Sequence, residues 1–243
     1  MRGSHLVALI VGAIAAWPAT ATATATATAE PVSFAHGTLD QQWTTTQPGA
    51  STGSHYTGTY HAAGDPSGDP PYMRRMTFYP PAGTRYDTSV PGRCTASDAE
   101  LALRGPTACP EASRIGGGTG TAKAMGESNT LPIHVFNNTD EVVMVIESPG
   151  VFTVSRGQIG PDGSTQFDSP TCYPSVNVAG CPVDNALQTG SDVTMSSIER
   201  DGRAYLTTPP TCPETGYWES LMRFWWADGS EDAVPLRHPC TVS

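Results

Sequence analysis

Short runs of apolar residues, separated by turn residues, dominate the chain from residue 72 onward. In the first run, Met76 and Phe78 alternate with polar neighbours until Pro80 and Pro81 stop the pattern, which is typical of a strand. Residues 142–146 are all apolar, and such a run predicts a central strand that is buried on both faces. We predict further strands over 131–135, 151–154, 193–198 and 204–206, with a hairpin turn at 200–202. Strands of this length and spacing predict an all-β fold, either an antiparallel β-sandwich or an open barrel.

One short helix is predicted after Ser97. The segment Ser97-Asp98-Ala99-Glu100 has the form of a capping box, Leu101 and Leu103 supply apolar positions, and Gly105-Pro106 ends the pattern. Because the helix lies between two cysteines, we interpret it as a crossover between strands that is held by a disulfide.

The last predicted hairpin has two possible registers, and the apolar residues decide between them. A two-residue loop at Asp228-Gly229 would spread apolar residues over both faces. A three-residue loop with Gly229 in a left-handed bulge instead pairs Trp226 with Ser230. This register collects the apolar residues on one face, which we predict to be core: Trp218, Met222, Phe224, Trp226, Val234 and Leu236. The opposite face carries Tyr217, Glu219, Leu221, Arg223 and Trp225.

The first 29 residues have the pattern of a secretory signal peptide. Arg2 belongs to a polar start, residues 6–17 are apolar, and Ala27-Thr28-Ala29 has the form of a cleavage site. The apolar run is shorter than the ~20 residues that span a bilayer, so a signal peptide is favoured over a membrane anchor, and no later run predicts a transmembrane segment. Residues 30–71 are rich in Thr, Ser, Gly and Pro and are predicted to be a loosely ordered arm. The β-sandwich domain is predicted over 72–243.

Composition and charge narrow the classes of function. The chain has 25 Gly and 22 Pro, together 47 of 243 residues, which favours turns and short strands over helices. It has 13 Lys and Arg against 23 Asp and Glu, a net charge of -10. This acidic balance supports no nucleic-acid partner.

Six cysteines follow the predicted signal peptide, and an even number in an exported chain predicts disulfides. We favour pairing between neighbours, because each pair then brackets one turn-rich unit. The predicted pairs are Cys94–Cys109, Cys172–Cys181 and Cys212–Cys240. A zinc site is disfavoured because the chain has no C-x-x-C motif and no His at ligand spacing from a Cys. No other metal and no cofactor is predicted.

Two stretches of the chain resemble a group of uncharacterised secreted proteins from actinobacteria. The first runs from Cys94-Thr-Ala-Ser-Asp98 through Gly105-Pro-Thr-Ala-Cys109-Pro110 to 113–120, and the second contains Leu206-Thr-Thr-Pro-Pro-Thr-Cys212-Pro213, Gly216, Trp218, Asp228-Gly229 and Cys240. The bias toward Arg over the single Lys123 fits a GC-rich genome of that kind. The resemblance covers roughly residues 72–243. It implies a secreted β domain held by disulfides, and it carries over no catalytic residue because the group has no assigned activity.

No pattern of residues predicts a catalytic centre. Residues 49–53 match the form G-x-S-x-G, but no apolar strand precedes Ser51 and no helix follows it. Residues 116–120 are glycine-rich without the spacing of a phosphate-binding loop, and we interpret them as a strand that allows close backbone approach. His55 and His61 lie near two aspartates, where a solvated loop is favoured over a weak metal site.

The predicted function is that of a secreted or cell-wall-associated protein without catalytic activity. Two alternatives stay open: an extracellular module that binds a carbohydrate or a protein, and a secreted hydrolase whose site forms only in three dimensions. The candidate ligand-binding residues are Tyr217, Arg223 and Trp225, because aromatic rings stack on sugars and Arg donates directional hydrogen bonds. The partner would be wall polysaccharide or another extracellular protein. The competing interpretation is that a second layer, or the N-terminal arm, covers this face.

Overall fold

The computed structural model describes residues 30–124, 127–148, 150–168 and 187–241. Over these residues the chain is mostly antiparallel β-structure with one short α-helix, which confirms the predicted all-β class. The predicted signal peptide and the predicted pair Cys172–Cys181 lie outside the described residues.

The described strands, in chain order, are β1 (Val32–Phe34), β2 (Gly37–Trp43), β3 (Ser54–Tyr60), β4 (Met73–Tyr79), β5 (Arg85–Tyr86), β6 (Arg114–Ala124), β7 (Glu127–Asn138), β8 (Glu141–Ser148), β9 (Val151–Ile159), β10 (Thr165–Asp168), β11 (Leu187–Met195), β12 (Glu199–Arg200), β13 (Arg203–Ala204), β14 (Leu206–Thr207), β15 (Tyr217–Trp226) and β16 (Glu231–Pro239). The helix α1 spans Asp98–Arg104, and short 3-10 turns follow at Gly105–Ala108 and Glu111–Ser113.

Twelve of these strands form one sheet, in the order β1-β2-β3-β11-β6-β7-β8-β9-β10-β4-β15-β16. At the two edges, β16 contacts both β1 and β2, so the sheet curls into a nearly closed barrel. Of the two predicted architectures, the structure therefore has the barrel. Because side chains alternate between the faces of a strand, every strand of the wall sends half of its residues into the interior.

The final hairpin has the predicted bulged register. The Trp226 amide donates to the Ser230 carbonyl at 3.0 Å, and Gly229 adopts the left-handed conformation with φ of 90°. The six residues predicted to be core are each 3% exposed or less. The count of apolar residues on each face therefore identified the correct register.

The helix α1 and its disulfide lie on the outside of the barrel. Ser97 and Glu100 form the predicted capping box, and Leu101 is fully buried, whereas Leu103 is exposed. The described disulfides are Cys94–Cys109 and Cys212–Cys240, both as predicted. Cys94, Cys109 and Leu101 pack on Val143 and Val145 of β8, while the alternate residues of that strand face the interior. This explains the continuous apolar run over 142–146, which is covered on both faces.

The expectation of a loosely ordered arm is wrong for residues 32–60. These residues form β1, β2 and β3, and β3 lies inside the sheet between β2 and β11. Their inward positions include Leu39 and Tyr60, which pack on the final hairpin. Thr and Tyr are good strand formers even where few aliphatic residues accompany them. The polar composition of residues 32–60 is typical of a linker. These residues nevertheless form strands, because pairing with the rest of the barrel stabilises them.

Candidate functional site

A cavity of about 160 Å³ lies inside the barrel. For comparison, an engineered protein cavity of about 150 Å³ is large enough to bind benzene. The walls come from strands on both sides of the barrel, including β2 and β3 on one side and β8 and β10 on the other. The cavity therefore has room for a molecule of roughly the size of a substituted aromatic ring.

Two apolar clusters bound this cavity. The aromatic cluster consists of Leu39, Tyr60, Met73, Met222, Phe224, Trp226, Val234 and Leu236. The aliphatic cluster consists of Val90, Ile115, Ile133, Val135, Val142, Tyr205 and Leu206. Met73 and Met222 of the first cluster and Ile133, Val142 and Leu206 of the second also line the cavity. The cavity is thus a gap within the core of the barrel.

Methionine is the most frequent residue in the cavity wall. Five of the seven methionines of the chain line it: Met73, Met76, Met144, Met195 and Met222. The unbranched thioether side chain adapts its shape to a neighbour and makes favourable contacts with aromatic rings. This wall suits apolar molecules of more than one shape.

Three buried polar atoms of residues in the wall have no hydrogen-bond partner among the described residues. Two of them are on β2, the carboxamide oxygen Oε1 of Gln41 and the indole nitrogen Nε1 of Trp43, and the third is the hydroxyl of Thr165 on β10. Gln41 is only 7% exposed. Leaving a buried polar group unpaired costs about 1–3 kcal/mol, so a molecule in the cavity that pairs with these atoms gains binding free energy.

The tyrosines of the wall are uncharged. The hydroxyl of Tyr56 lies within hydrogen-bond distance of the Tyr60 hydroxyl and 3.9 Å from the Met76 sulfur. Burial raises the pKa of Tyr56 well above its ordinary value, and it raises the pKa of Tyr86 to about 12. Both phenols therefore keep their protons over the whole physiological range.

Among the described residues that line the cavity, Asp168 alone carries a charge. Its side chain is 61% exposed, and its Oδ1 atom accepts a hydrogen bond from Arg75 at 2.6 Å. This charge is paired and hydrated at the end of β10. An ionised ligand group deep in the cavity would lose its hydration without an opposite charge to replace it, so the site favours uncharged molecules.

The candidate residues Tyr217, Arg223 and Trp225 lie on the outer face of β15. The guanidinium of Arg75 is 5.9 Å from the centre of the Trp225 ring, and that of Arg237 is 4.5 Å from the centre of the Tyr217 ring. Tyr217 and Arg223 are six positions apart, about 20 Å along a strand. The structure therefore brings Trp225 and Arg223 together and leaves Tyr217 apart from them.

The predicted N-terminal arm does not cover this outer face of β15, because its strands β1–β3 belong to the barrel wall.

The other sequence motifs take structural places. Ser51 lies in the connection between β2 and β3, and its Oγ is 2.8 Å from the Oγ of Ser197. Residues 116–120 belong to β6, and a Cβ atom on Gly118 would lie 1.9 Å from the Asp192 carbonyl oxygen. This confirms the interpretation of a strand with close backbone approach.

The histidines have separate partners. His55 lies 2.8 Å from an Asp192 carboxylate oxygen, and the Nδ1 atom of His61 lies 2.8 Å from the Ala62 carbonyl oxygen. Within the described parts of the chain, no three His, Cys, Asp or Glu side chains are grouped so that they could hold a metal ion.

A serine, a histidine and an aspartate meet beside the final hairpin, although they are far apart in sequence. The Nδ1 atom of His36 is 2.6 Å from Asp232 Oδ2, and its Nε2 atom is 3.5 Å from the Ser230 hydroxyl. However, the Ser230 hydroxyl donates to Asp228 at 2.6 Å, and the bonds from Ser230 lower the pKa of that carboxyl. An ionised carboxylate beside the serine opposes the negative charge of an acyl-transfer transition state. We interpret the group as a link between the β1–β2 turn and the hairpin.

Sequence reasoning missed the cavity residues of β2 because they lie in the segment expected to be an arm. A weak signal was present: Leu39, Gln41 and Trp43 alternate with polar residues, as do Tyr56, Gly58 and Tyr60. This period of two, together with the strand preference of Thr and Tyr, could have predicted two strands.

Comparison of the chain with protein-family models, with curated proteins and with solved structures finds no match. In the described part of the chain, no helix has the length and apolar character needed to cross a membrane.

Proposed function

We propose that this protein is a secreted, non-catalytic binding protein that holds a small, uncharged and mainly apolar molecule inside its barrel. The observation that carries the proposal is the cavity between the aromatic and aliphatic clusters, with its methionine-rich wall. This proposal follows the alternative of an extracellular binding module. It differs in the ligand, which is an apolar small molecule instead of a carbohydrate or a protein.

Secretion is supported by the signal-peptide pattern of residues 1–29 and by the two described disulfides. Disulfides form and persist mainly in oxidising compartments. An extracellular location also fits the binding role, because such a protein meets its ligand outside the cell.

The size of the gap supports a role in binding rather than in stability. Protein interiors are normally close-packed, and unfilled volume costs about 24 cal/mol per Å³. A ligand that fills the gap recovers much of this free energy as contacts with the wall.

The test is an NMR titration of protein labelled with ¹³C on the methionine methyl groups, with toluene as the probe. We expect saturable shifts of the methyl signals of Met76, Met144 and Met195, because an aromatic ring shifts signals within a few ångströms. Assignment by single Met→Leu variants identifies each signal.

A matched pair of variants locates the binding. Val193 faces the cavity and Thr194, the next residue of β11, is exposed on the outer face. We expect Val193→Phe to fill the cavity and abolish the shifts, and Thr194→Phe to leave them unchanged. Toluene titration without saturable shifts, or an equal response of both variants, would contradict the proposal.

A second candidate is carbohydrate binding on the outer face, at Trp225 and Arg223. Trp225 is half-buried rather than covered, and Arg223 is exposed beside it. An aromatic ring with a neighbouring Arg suits a sugar ring and its hydroxyl groups. The test is co-sedimentation with cell-wall polysaccharide, comparing the wild type with Trp225→Ala.

A further inference from the structure

The two neighbouring glutamines of β2 differ in their pairing. Gln42 lies on the outer face, where its amide donates to Asp40 at 2.8 Å. Gln41 lies on the inner face, lines the cavity, and has no partner for its carboxamide oxygen among the described residues. The same residue type is thus paired where water is available and unpaired where it is buried, which is the reverse of the usual requirement.

Trp43 shows the same contrast with the other interior indoles. The indole nitrogen of Trp218 donates to the Thr211 carbonyl at 2.7 Å, and that of Trp226 donates to Asp232 at 2.8 Å. The indole nitrogen of Trp43 has no partner among the described residues, although it is buried. The cavity therefore presents an open donor two residues away from an open acceptor, on the same face of one strand.

The polar pair lies at one boundary of the cavity. On β2, Leu39 belongs to the filled aromatic cluster, and the next two inward positions are Gln41 and Trp43. Across the strand pair these residues face Tyr56 and Ser54, which also line the cavity. The Tyr56 hydroxyl is already engaged by Tyr60 and Met76. The carboxamide oxygen of Gln41 and the indole N–H of Trp43 are thus available to a ligand.

A hydroxyl group complements this pair. It donates one hydrogen bond and accepts others, so it can donate to Gln41 Oε1 and accept from Trp43 Nε1. A pure hydrocarbon leaves both groups unpaired. A carboxylate offers no donor and brings a charge into a wall whose tyrosines are neutral.

Building on the proposed function, we infer that the ligand is a neutral alcohol or phenol whose hydroxyl group binds Gln41 and Trp43. Its apolar part lies among the methionines of the wall. The volume of the cavity limits this part to about one substituted aromatic ring or an aliphatic group of similar size.

The test compares three molecules of nearly the same shape: p-cresol, toluene and p-toluate. Affinities are measured by titration calorimetry on the disulfide-bonded protein. We expect p-cresol to bind about tenfold more tightly than toluene, since a hydrogen bond to a buried group contributes about 1 kcal/mol or more. We expect no binding of p-toluate, because its charge would be buried without a partner.

Two variants assign the preference to the polar pair. Gln41→Leu and Trp43→Phe each remove one hydrogen-bonding group while keeping an apolar side chain, and we expect each to bring the affinity for p-cresol close to that for toluene. Gln42→Leu is the matched control and is expected to keep the wild-type preference.

The outcomes separate this inference from the proposed function. If toluene binds the wild type as tightly as p-cresol does, the inference is wrong and the two polar groups pair with water, while the apolar binding site stands. If none of the three molecules binds, the proposed function itself fails. Because the three ligands are compared on the wild type, a variant that does not fold leaves this result intact.

Discussion

The two halves of the barrel interior are filled in different ways. In the aromatic cluster, the rings of Phe224 and Trp226 lie with centres 5.9 Å apart, and Phe34 packs against the cluster with its ring centre 5.3 Å from that of Phe224. Between this cluster and the aliphatic cluster lies the cavity of about 160 Å³, with five methionines in its wall. The aromatic cluster is thus closely packed with rings, whereas the region between the two clusters leaves space beside flexible side chains.

Hydrogen bonding also differs between the aromatic cluster and the cavity. In the cluster, the indole nitrogen of Trp226 donates to Asp232, which also pairs with His36. At the cavity, the polar atoms of Gln41 and Trp43 lack partners among the described residues. Buried polar atoms without a partner also occur away from the cavity, for example the Tyr205 hydroxyl and Asn137 Oδ1. At the cavity, such atoms border space, and this is the combination that a ligand with a polar and an apolar part would use.

The largest expected effect is a difference in stability between a variant in the aromatic cluster and a variant in the cavity wall. Trp226→Ala removes a ring that is 2% exposed and deprives Asp232 of a donor, so we expect a loss of about 3–5 kcal/mol in the free energy of unfolding. Met144→Ala removes a side chain that borders the cavity, and we expect a loss of about 2 kcal/mol. Urea unfolding measures both. Equal losses would contradict the expectation that the cavity wall is the more loosely packed region.

A second prediction concerns His238, which is buried beside Trp43 of the cavity wall. Its ring centre is 5.3 Å from that of Trp43, and its Nε2 atom is 2.7 Å from the Ser220 hydroxyl. Burial lowers the pKa of His238 to about 4, partly opposed by a hydrogen bond to the Gln41 backbone. The unfolded chain, with a pKa near 6.5, takes up the proton first as the pH falls. The free energy of unfolding therefore falls by about 3 kcal/mol as the pH decreases from about 6.5 to about 4.

The reference for this measurement is His238→Gln, which keeps a polar side chain and cannot titrate in this range. The free energy of unfolding of both proteins is measured with urea at pH 7, 5.5 and 4. Because the two proteins have the same carboxylates, the carboxylate contribution cancels in the difference between them. From pH 7 to pH 4, we expect the wild type to lose about 3 kcal/mol more of its free energy of unfolding than the variant loses. A difference that stays constant with pH would mean that His238 is hydrated in the folded protein.

The smallest expected effect compares adjacent residues on opposite faces of β15. Trp225 is half-buried under Arg75, so Trp225→Ala is expected to cost about 1–2 kcal/mol, well below the cost of Trp226→Ala. If the outer face binds wall polysaccharide, the same variant loses that binding. A loss of 3–5 kcal/mol with unchanged polysaccharide binding would instead make Trp225 a core residue.

Local patterns predicted the elements of the fold whose causes are local. The capping box identified α1, the alternation of apolar residues identified β4 and the face of β15, and the cysteine spacing identified two disulfides. Each signal depends on residues a few positions apart, or on a chain segment between two neighbouring cysteines. Such signals do not require knowledge of the rest of the structure.

The closure of the barrel was decided by tertiary structure. The segment 32–60 forms strands because β3 pairs with β11, more than 130 residues later, and because β16 contacts β1 and β2. The cavity and its unpaired polar atoms follow from that closure, which brings Gln41 and Trp43 opposite Met144 and Phe167 in one lining. Sequence alone determined which face of each strand is apolar. Whether facing side chains fill the space between them depends on distances across the barrel, and these exist only in the folded chain.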